Sequence, residues 1–526
     1  MIEQENRVIT FSEESRDLIR VGVEQLADAV RVTMGPSGKN VLIEHPGAAP
    51  VLTKDGVTVA RAINLKDRFA NLGVQIVREA AQRTAEEAGD GTTTATVLAC
   101  AIFQEGLKAI AGGHELRVIR NGIKDATNFL CSEIEKNAVP IKSDEDLRRV
   151  ANISVNNEPD LAELIVEAIK AVGDHGTVTV DEAKGFDSSL EVVDGCELDR
   201  GYVSPYFVNK PARMSCELFN PAILVTDKRI SSVHDIMHFM EEAARENRPF
   251  VVIGPETTGD ALQGLILNNT KNLIKACVLA APEFGTSRLE ALHDLAILLG
   301  TDLLTEEPSG WRNVKLSDLG SCKKIAAYRY RTIFIGATGD SESRENRIQQ
   351  IKEAAYEYTG DAEMISVLTR RVKRMNSGIG ILRVGGATEA EISERKDRVE
   401  DALYATKAAM QEGIVAGGGS LLAKIAKSQL NKKDSLSIGH KILFSAACEP
   451  LKQIASNCGS VPEVVLEKIV EKPKNFGYNG INGDVCNLMK IGIVDPVKVI
   501  RLALQNASSV SINLLSIGCA MVRDDE

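Results

Sequence analysis

Aromatic side chains are scarce in this chain, 4% of its 526 residues, and Trp311 is its only tryptophan. Its cores must therefore be mainly aliphatic and alanine-rich. Excess positive charge is also missing. The 62 Lys and Arg stand against 73 Asp and Glu, a formal net charge of −11. That balance argues against a large nucleic-acid surface, which needs clustered basic residues. The ten cysteines are scattered without a CxxC pair. They outline no disulfide framework and fit reduced thiols in the cytoplasm. No apolar run approaches the ~20 residues that a bilayer demands, so no membrane span is expected. The opening, MIEQENRVITF, has no basic segment followed by an apolar one and does not read as a signal peptide.

Familiar fingerprints are absent as well. Thr33-Met34-Gly35-Pro36-Ser37-Gly38-Lys39 invites comparison with a P-loop. Thr33, however, stands where the first glycine is needed, and Asn40 replaces the Ser or Thr after the lysine. Gly417-Gly418-Gly419 has no glycine three residues on, so it is no dinucleotide fingerprint. Both can still let a ligand approach the backbone; an ordinary turn and a flexible hinge are the plain alternatives. His234 and His238 flank Asp235-Ile236-Met237. This is the zincin spacing with Asp in place of the longer Glu base.

What is present begins with length, which suggests about three domains. Residues 12–34 carry a helical pattern that Ser12 could cap, and short strands are expected at 40–43 and 49–53. Ala-rich helical segments follow near 64–88, 92–111 and 115–136, and residues 413–522 are again helical. The middle is different. Strand-like pieces at 177–180, 190–193, 222–226, 250–253, 276–280 and 332–335 are separated by helices, which predicts an α/β domain. One domain built from both chain ends, with the middle inserted, follows. Gly195 and Gly378 are candidate hinges.

The strongest local signal is Gly89-Asp90-Gly91-Thr92-Thr93-Thr94, followed by an apolar helical run. Glycines admit a phosphate close to the backbone. First-turn N–H groups and Thr hydroxyls can bind its oxygens, and Asp90 is a hard ligand for Mg²⁺. Taken alone it also fits a solvated, capped loop. Asp55 ends a strand in an Asp-Gly turn, and Asp401 lies mid-helix; in isolation each reads as structural or solvated. Val233, Ile236, Met237 and Met240 form an apolar stripe beside Phe239, and Leu262, Leu265, Ile266 and Leu267 a second, wide one. They fit either a core or a partly exposed groove with adaptable methionines.

The segments QLADAVRVTMGPSGKNV, LTKDGVTVAR, AGDGTTTATVLA, DRGYVSPYFVNKP, VGGATEAEISERKDRVEDALYATKAAMQEGIVAGGG, GYNG and GIVDPVKV occur in this order. Together they make the chain resemble a group I chaperonin, the GroEL family, over nearly its whole length. The resemblance implies an α/β multi-domain fold. It has a mainly helical equatorial domain (1–136 and 412–526), a small α/β intermediate domain (137–193 and 380–411) and an α/β apical domain (194–379), hinged near Pro140, Gly195, Gly378 and Gly413. It implies ATP, Mg²⁺ and K⁺ as cofactors. Thr33, Met34, Gly35, Pro36, Lys54, Asp90, Gly91, Thr92, Thr93, Thr94, Gly418, Asn479, Gly480 and Asp495 would lie around the nucleotide, with Asp90 on the metal. Asp401 would orient the attacking water, assisted by Asp55. Tyr202, Tyr206, Phe207, Met237, Met240, Leu262, Ile266 and Leu267 would form an apical groove for non-native polypeptides. A GroES-like co-chaperonin and heptameric rings of this chain are the implied partners.

The chain also departs from the family. It ends in Asp524-Asp525-Glu526 without a Gly/Met-rich tail, a double-glycine hinge reads Ser377-Gly378, and an ion pair between rings becomes Lys452 and Val461. These changes suggest a divergent copy or paralogue. A holdase or specialised interaction protein with weakened ring assembly or ATP cycling is the rival expectation.

Overall fold

The computed structural model describes residues 7–44, 50–141, 143–155, 158–173, 176–183, 185–283, 285–357, 362–376, 378–432 and 436–523. The predicted hinge residue Ser377 and the acidic end 524–526 lie outside them. The chain divides into two compact units, Met1–Val166 with Asp397–Glu526, and Glu167–Lys396.

The first unit joins the two chain ends. Strand Arg7–Phe11 pairs antiparallel with Cys519–Arg523. Apolar helix Thr92–Ala111 packs against Ser12–Arg31, Arg68–Ala88, Ile438–Ala446, Glu449–Asn457 and Val497–Leu515. This helix is long and apolar enough by composition to cross a membrane, which corrects the expectation that no such segment exists. Its apolarity has a structural cause: helices cover it, and Leu98, Cys100, Ile102 and Phe103 are fully buried. Small residues set helix spacing. A β-carbon on Gly122 would lie 2.9 Å from the Gly439 Cα, so Leu116–Lys136 and Ile438–Ala446 cross in direct backbone contact. Ser12 does not cap the first helix. Phe11 holds the cap position without a side-chain bond, while the Ser12 N–H donates to the Gly518 carbonyl at 2.9 Å as the chain leaves the strand pair. Strands Val41–Ile43 and Val51–Thr53 form the expected hairpin.

The second unit is built on a nine-stranded mixed sheet. Strands Ala222–Val225, Phe250–Gly254 and Ala276–Ala280 are parallel neighbours, crossed over by helices Met237–Glu246 and Gly259–Thr270. Strand Ser189–Leu198 changes partner along its length. Residues 189–194 pair with Gly378–Val384, and residues 195–198 with Thr332–Ala337. Gly195 sits at the change, where a β-carbon would fall 2.2 Å from the Phe334 carbonyl oxygen. Strands Cys216–Phe219, Gly320–Ala327 and Gly378–Val384 were not among those expected. The first is only four residues long, and the last carries glycines that weaken a strand pattern. The predicted helix through His234 and His238 is broken: His234 lies in a 3₁₀ turn, Val233–Asp235, and His238 in helix Met237–Glu246. The zincin geometry of two histidines on one helical face is therefore lost.

Candidate functional site

Within the first unit, a cavity of about 610 Å³ is lined by Met34, Gly35, Pro36, Asp90, Gly91, Thr93, Thr94, Gly418, Asn479, Gly480 and Asp495, among others. These residues come from separate elements, and local geometry explains each wall. The turn after helix Ser12–Arg31 is pinned by Asn457, whose Nδ2 donates to the Arg31 and Met34 carbonyls at 2.9 Å each. Gly35 takes φ +82° there, and Ile454 leaves little room for a side chain. Gly91, at φ +96°, is the N-cap of helix Thr92–Ala111 and offers no side-chain bond to its first turn. Helix-start N–H groups are left for a ligand by such a cap. Thr93 and Thr94 face the cavity, whereas the expected Thr92 lies outside its lining, with its hydroxyl buried and without a hydrogen-bond partner. Asp495 accepts from the Gly419 N–H at 3.3 Å, which ties strand Val494–Pro496 to the triple-glycine turn.

Carboxylates converge beside this cavity. Asp55 caps helix Gly56–Ala62 by accepting from Val57 N at 3.0 Å and Thr58 N at 2.8 Å. The start of that helix meets Thr93, because a β-carbon on Gly56 would sit 2.1 Å from the Thr93 hydroxyl. Asp401 arrives on helix Glu389–Glu412. Gly89 permits this approach, since a β-carbon there would fall 2.1 Å from Tyr404 Cβ. Asp90 and Asp401 are both exposed at the surface of the chain, although protein is dense around their carboxylates. Loss of hydration raises the pKa of Asp401 well above the ordinary carboxylate value, and the charges of Asp90 and Asp55 add to it. Burial, with Asp55 nearby, also raises Asp90. The group therefore has surplus negative charge that a cation would relieve.

Burial raises the Asp495 pKa from 3.8 to about 6, against the lowering effect of the Gly419 and Gly418 N–H groups. A carboxyl that holds its proton more tightly when folded stabilises the native state at low pH. That stability is lost as pH rises toward the folded pKa, and above it the buried charge is a full cost. Asp495→Asn should therefore stabilise the nucleotide-free protein at pH 8 by about 1–3 kcal/mol. The gain should shrink as pH falls to 5, read from unfolding midpoints of both proteins. A gain independent of pH would contradict the assignment.

The remaining expected residues sit elsewhere. Thr33 is outside the cavity lining, with its hydroxyl donated to the Val30 carbonyl at 2.8 Å. Lys54 is exposed beside Asp55. The apolar lining went unrecognised in the sequence: Leu422, Pro450, Ile454, Ile493, Val499 and Ile500. They are spread over helices Ser420–Lys432, Glu449–Asn457 and Val497–Leu515 and the turn before strand Val494–Pro496, and nothing in their residue types distinguishes them from core positions. Among the described residues, no group of three or more His, Cys, Asp or Glu is placed to hold a metal by itself.

In the second unit the apolar candidates separate by exposure. Tyr206 is 70% and Leu267 53% exposed, whereas Tyr202, Phe207 and Met240 are buried. Met237, Leu262 and Ile266 are half-buried. The expectation that all eight form a surface is thus corrected for Tyr202, Phe207 and Met240, which face the core because the sheet beneath needs covering. Tyr206 lies in the 3₁₀ turn Pro205–Phe207, bound to helix Gly259–Thr270 through Asn269 Nδ2 and the Tyr206 carbonyl at 3.2 Å.

The profile of the TCP-1/cpn60 chaperonin family matches residues 26–246 and 262–525. Among solved structures, the chaperonin gp146 from the bacteriophage EL 2 (Pseudomonas aeruginosa), crystallised in the presence of ATP-BeFx, is similar in two crystal forms. Form II superposes with a TM-score of 0.68 at 22% identity, over 98% of this chain and 100% of that one. Form I gives 0.63 at 22% identity, over 98% and 99%.

Proposed function

This chain belongs to the TCP-1/cpn60 chaperonin family, and from that premise we propose that it is an ATP-hydrolysing chaperone that captures non-native polypeptides and assists their folding. The observation that carries the ATPase reading is the cavity itself. It joins a glycine-lined helix start, the Thr93 and Thr94 side chains and a neighbouring group of carboxylates. The donors fit nucleotide with a hard cation. Asp90, with phosphate and water oxygens, would hold Mg²⁺, which often takes only one or two carboxylates. When bound, the ion neutralises phosphate charge.

The chain's own groups do the rest. N–H groups at the start of helix Thr92–Ala111 and the hydroxyls of Thr92, Thr93 and Thr94 bind phosphate oxygens. Asp401 orients water toward the γ-phosphorus and accepts its proton, a role suited to a carboxylate with raised proton affinity. Asp55, already committed to Val57 and Thr58, acts as a fixed charge. We infer three domains, rings of this chain, use of K⁺, a GroES-like lid and a cytoplasmic setting. The ten free cysteines support a reducing compartment.

Light scattering with and without ATP, together with phosphate release, tests this reading. Assemblies several-fold larger than the 56.8 kDa chain are expected, with turnover that stops when EDTA removes Mg²⁺. A monomer without turnover would refute it. That outcome would favour the second reading, a holdase with weakened assembly. Its specific support is that Val461 is 60% exposed and Lys452 is engaged by its own Glu449 at 3.0 Å.

A further inference from the structure

Lys424 is a buried charge that the mechanism above does not use. It lies in helix Ser420–Lys432, directly after the triple-glycine turn, and is 7% exposed. Its ammonium donates to the carbonyls of Pro473 at 2.7 Å and Phe476 at 2.9 Å. Burial lowers its pKa from 10.5 to about 8. A methionine of similar volume would fill this space without that cost, so the ammonium's distinctive contribution is the pair of bonds.

Those bonds hold the entry to a small hairpin. Strands Phe476–Asn479 and Asp484–Asn487 form a two-stranded sheet with no third strand, an arrangement that is marginal by itself. The hairpin also packs on helices Ser420–Lys432 and Pro462–Val470, with Tyr478 buried in the core, and its other side-chain hydrogen bonds to this scaffold are between neutral groups. The Tyr478 N–H reaches Ser420 Oγ at 3.4 Å, and the Tyr478 and Ser460 hydroxyls meet at 2.8 Å. The hairpin contributes Tyr478, Asn479, Gly480 and Ile481 to the cavity, and Ile481 is 79% exposed. The phosphate-binding candidates, Gly91 to Thr94, belong to a different element.

We propose that Lys424 is a positioning residue for the nucleobase end of the cavity: it fixes the 476–487 hairpin, so recognition of the base depends on it while recognition of the phosphates does not. This inference rests on the ATP reading.

The test compares binding of ATP and of inorganic triphosphate, each with Mg²⁺, to the full-length protein by calorimetry. Two hydrogen bonds from a charged donor are worth enough that Lys424→Met should weaken ATP about 10-fold or more. Inorganic triphosphate should change by less than about 2-fold, since its contacts lie elsewhere. Lys424→Arg, which retains charged donors, should recover part of the ATP affinity. Should Lys424→Met fail to fold, Ser420→Ala, which removes the acceptor for the Tyr478 N–H, should show the same selective loss at smaller size. Unchanged ATP affinity, or equal weakening of both ligands, would overturn the inference. A wild-type protein that binds no ATP would instead overturn the ATP reading beneath it.

Discussion

Asp401→Asn should lower phosphate release by about 10²–10⁴-fold, the range expected when a positioned general base is lost, while ATP stays bound. The substitution keeps the shape of the side chain and removes its charge. Loss of hydration, and then the charges of Asp90, Asp55, Glu400 and Asp397, hold the proton affinity of Asp401 high. Removing one negative charge from such a group also removes a repulsion toward phosphate, so affinity for ATP should hold or rise. Single-turnover phosphate release, with ATP affinity measured in parallel, separates the two effects. If the variant hydrolyses ATP within a few-fold of wild type, another group activates the water. If binding and hydrolysis fall together, Asp401 supports the cavity and not the chemistry.

Much of this placement was readable in the residues. Asp90 and the threonines after it announced a helix start with open donors, and the cavity is lined by that start. Gly418 and Asp495 also face the cavity, and the Gly419 N–H explains why they adjoin. Three things were hidden. The Thr33 hydroxyl is turned to its own helix, a choice that spacing cannot reveal. By its own pattern Asp401 reads as a solvated mid-helix carboxylate, and the resemblance alone makes it catalytic; the contact of Gly89 with Tyr404 and the packing of Ala408 on Ala88 bring its helix to Asp90. Lys424 carried no motif, because its partners are backbone carbonyls about fifty residues later. The long helices near 64–88, 92–111 and 115–136 are legible from their periodicity, whereas residues 413–522, read as helical, also hold strands such as Ile414–Ala416 and Phe476–Asn479. Strand Gly378–Val384 was obscured by its glycines, and the change of partner at Gly195 depends on pairings between distant segments.

Leu267→Glu combined with Tyr206→Glu should lower capture of a chemically unfolded protein by about 10²-fold or more. Each loses apolar burial of about 1.5–3 kcal/mol, and each adds a charge that resists desolvation. Both wild-type side chains project into solvent, Leu267 from helix Gly259–Thr270 and Tyr206 from the turn bonded to it. The unit should therefore fold normally with glutamates there. ATP turnover, carried by residues of the first unit, should continue. Suppression of client aggregation and phosphate release, measured on the same preparation, provide the comparison; a double variant that still holds unfolded protein would move the capture surface elsewhere. Met240→Lys makes a poor substitute for this experiment even though Met240 shares the apolar stripe. Met240 is buried against the sheet, where an unpaired ammonium would cost several kcal/mol. Loss of capture there would report melting of the unit, whereas loss at Leu267 and Tyr206 with folding intact reports the surface itself.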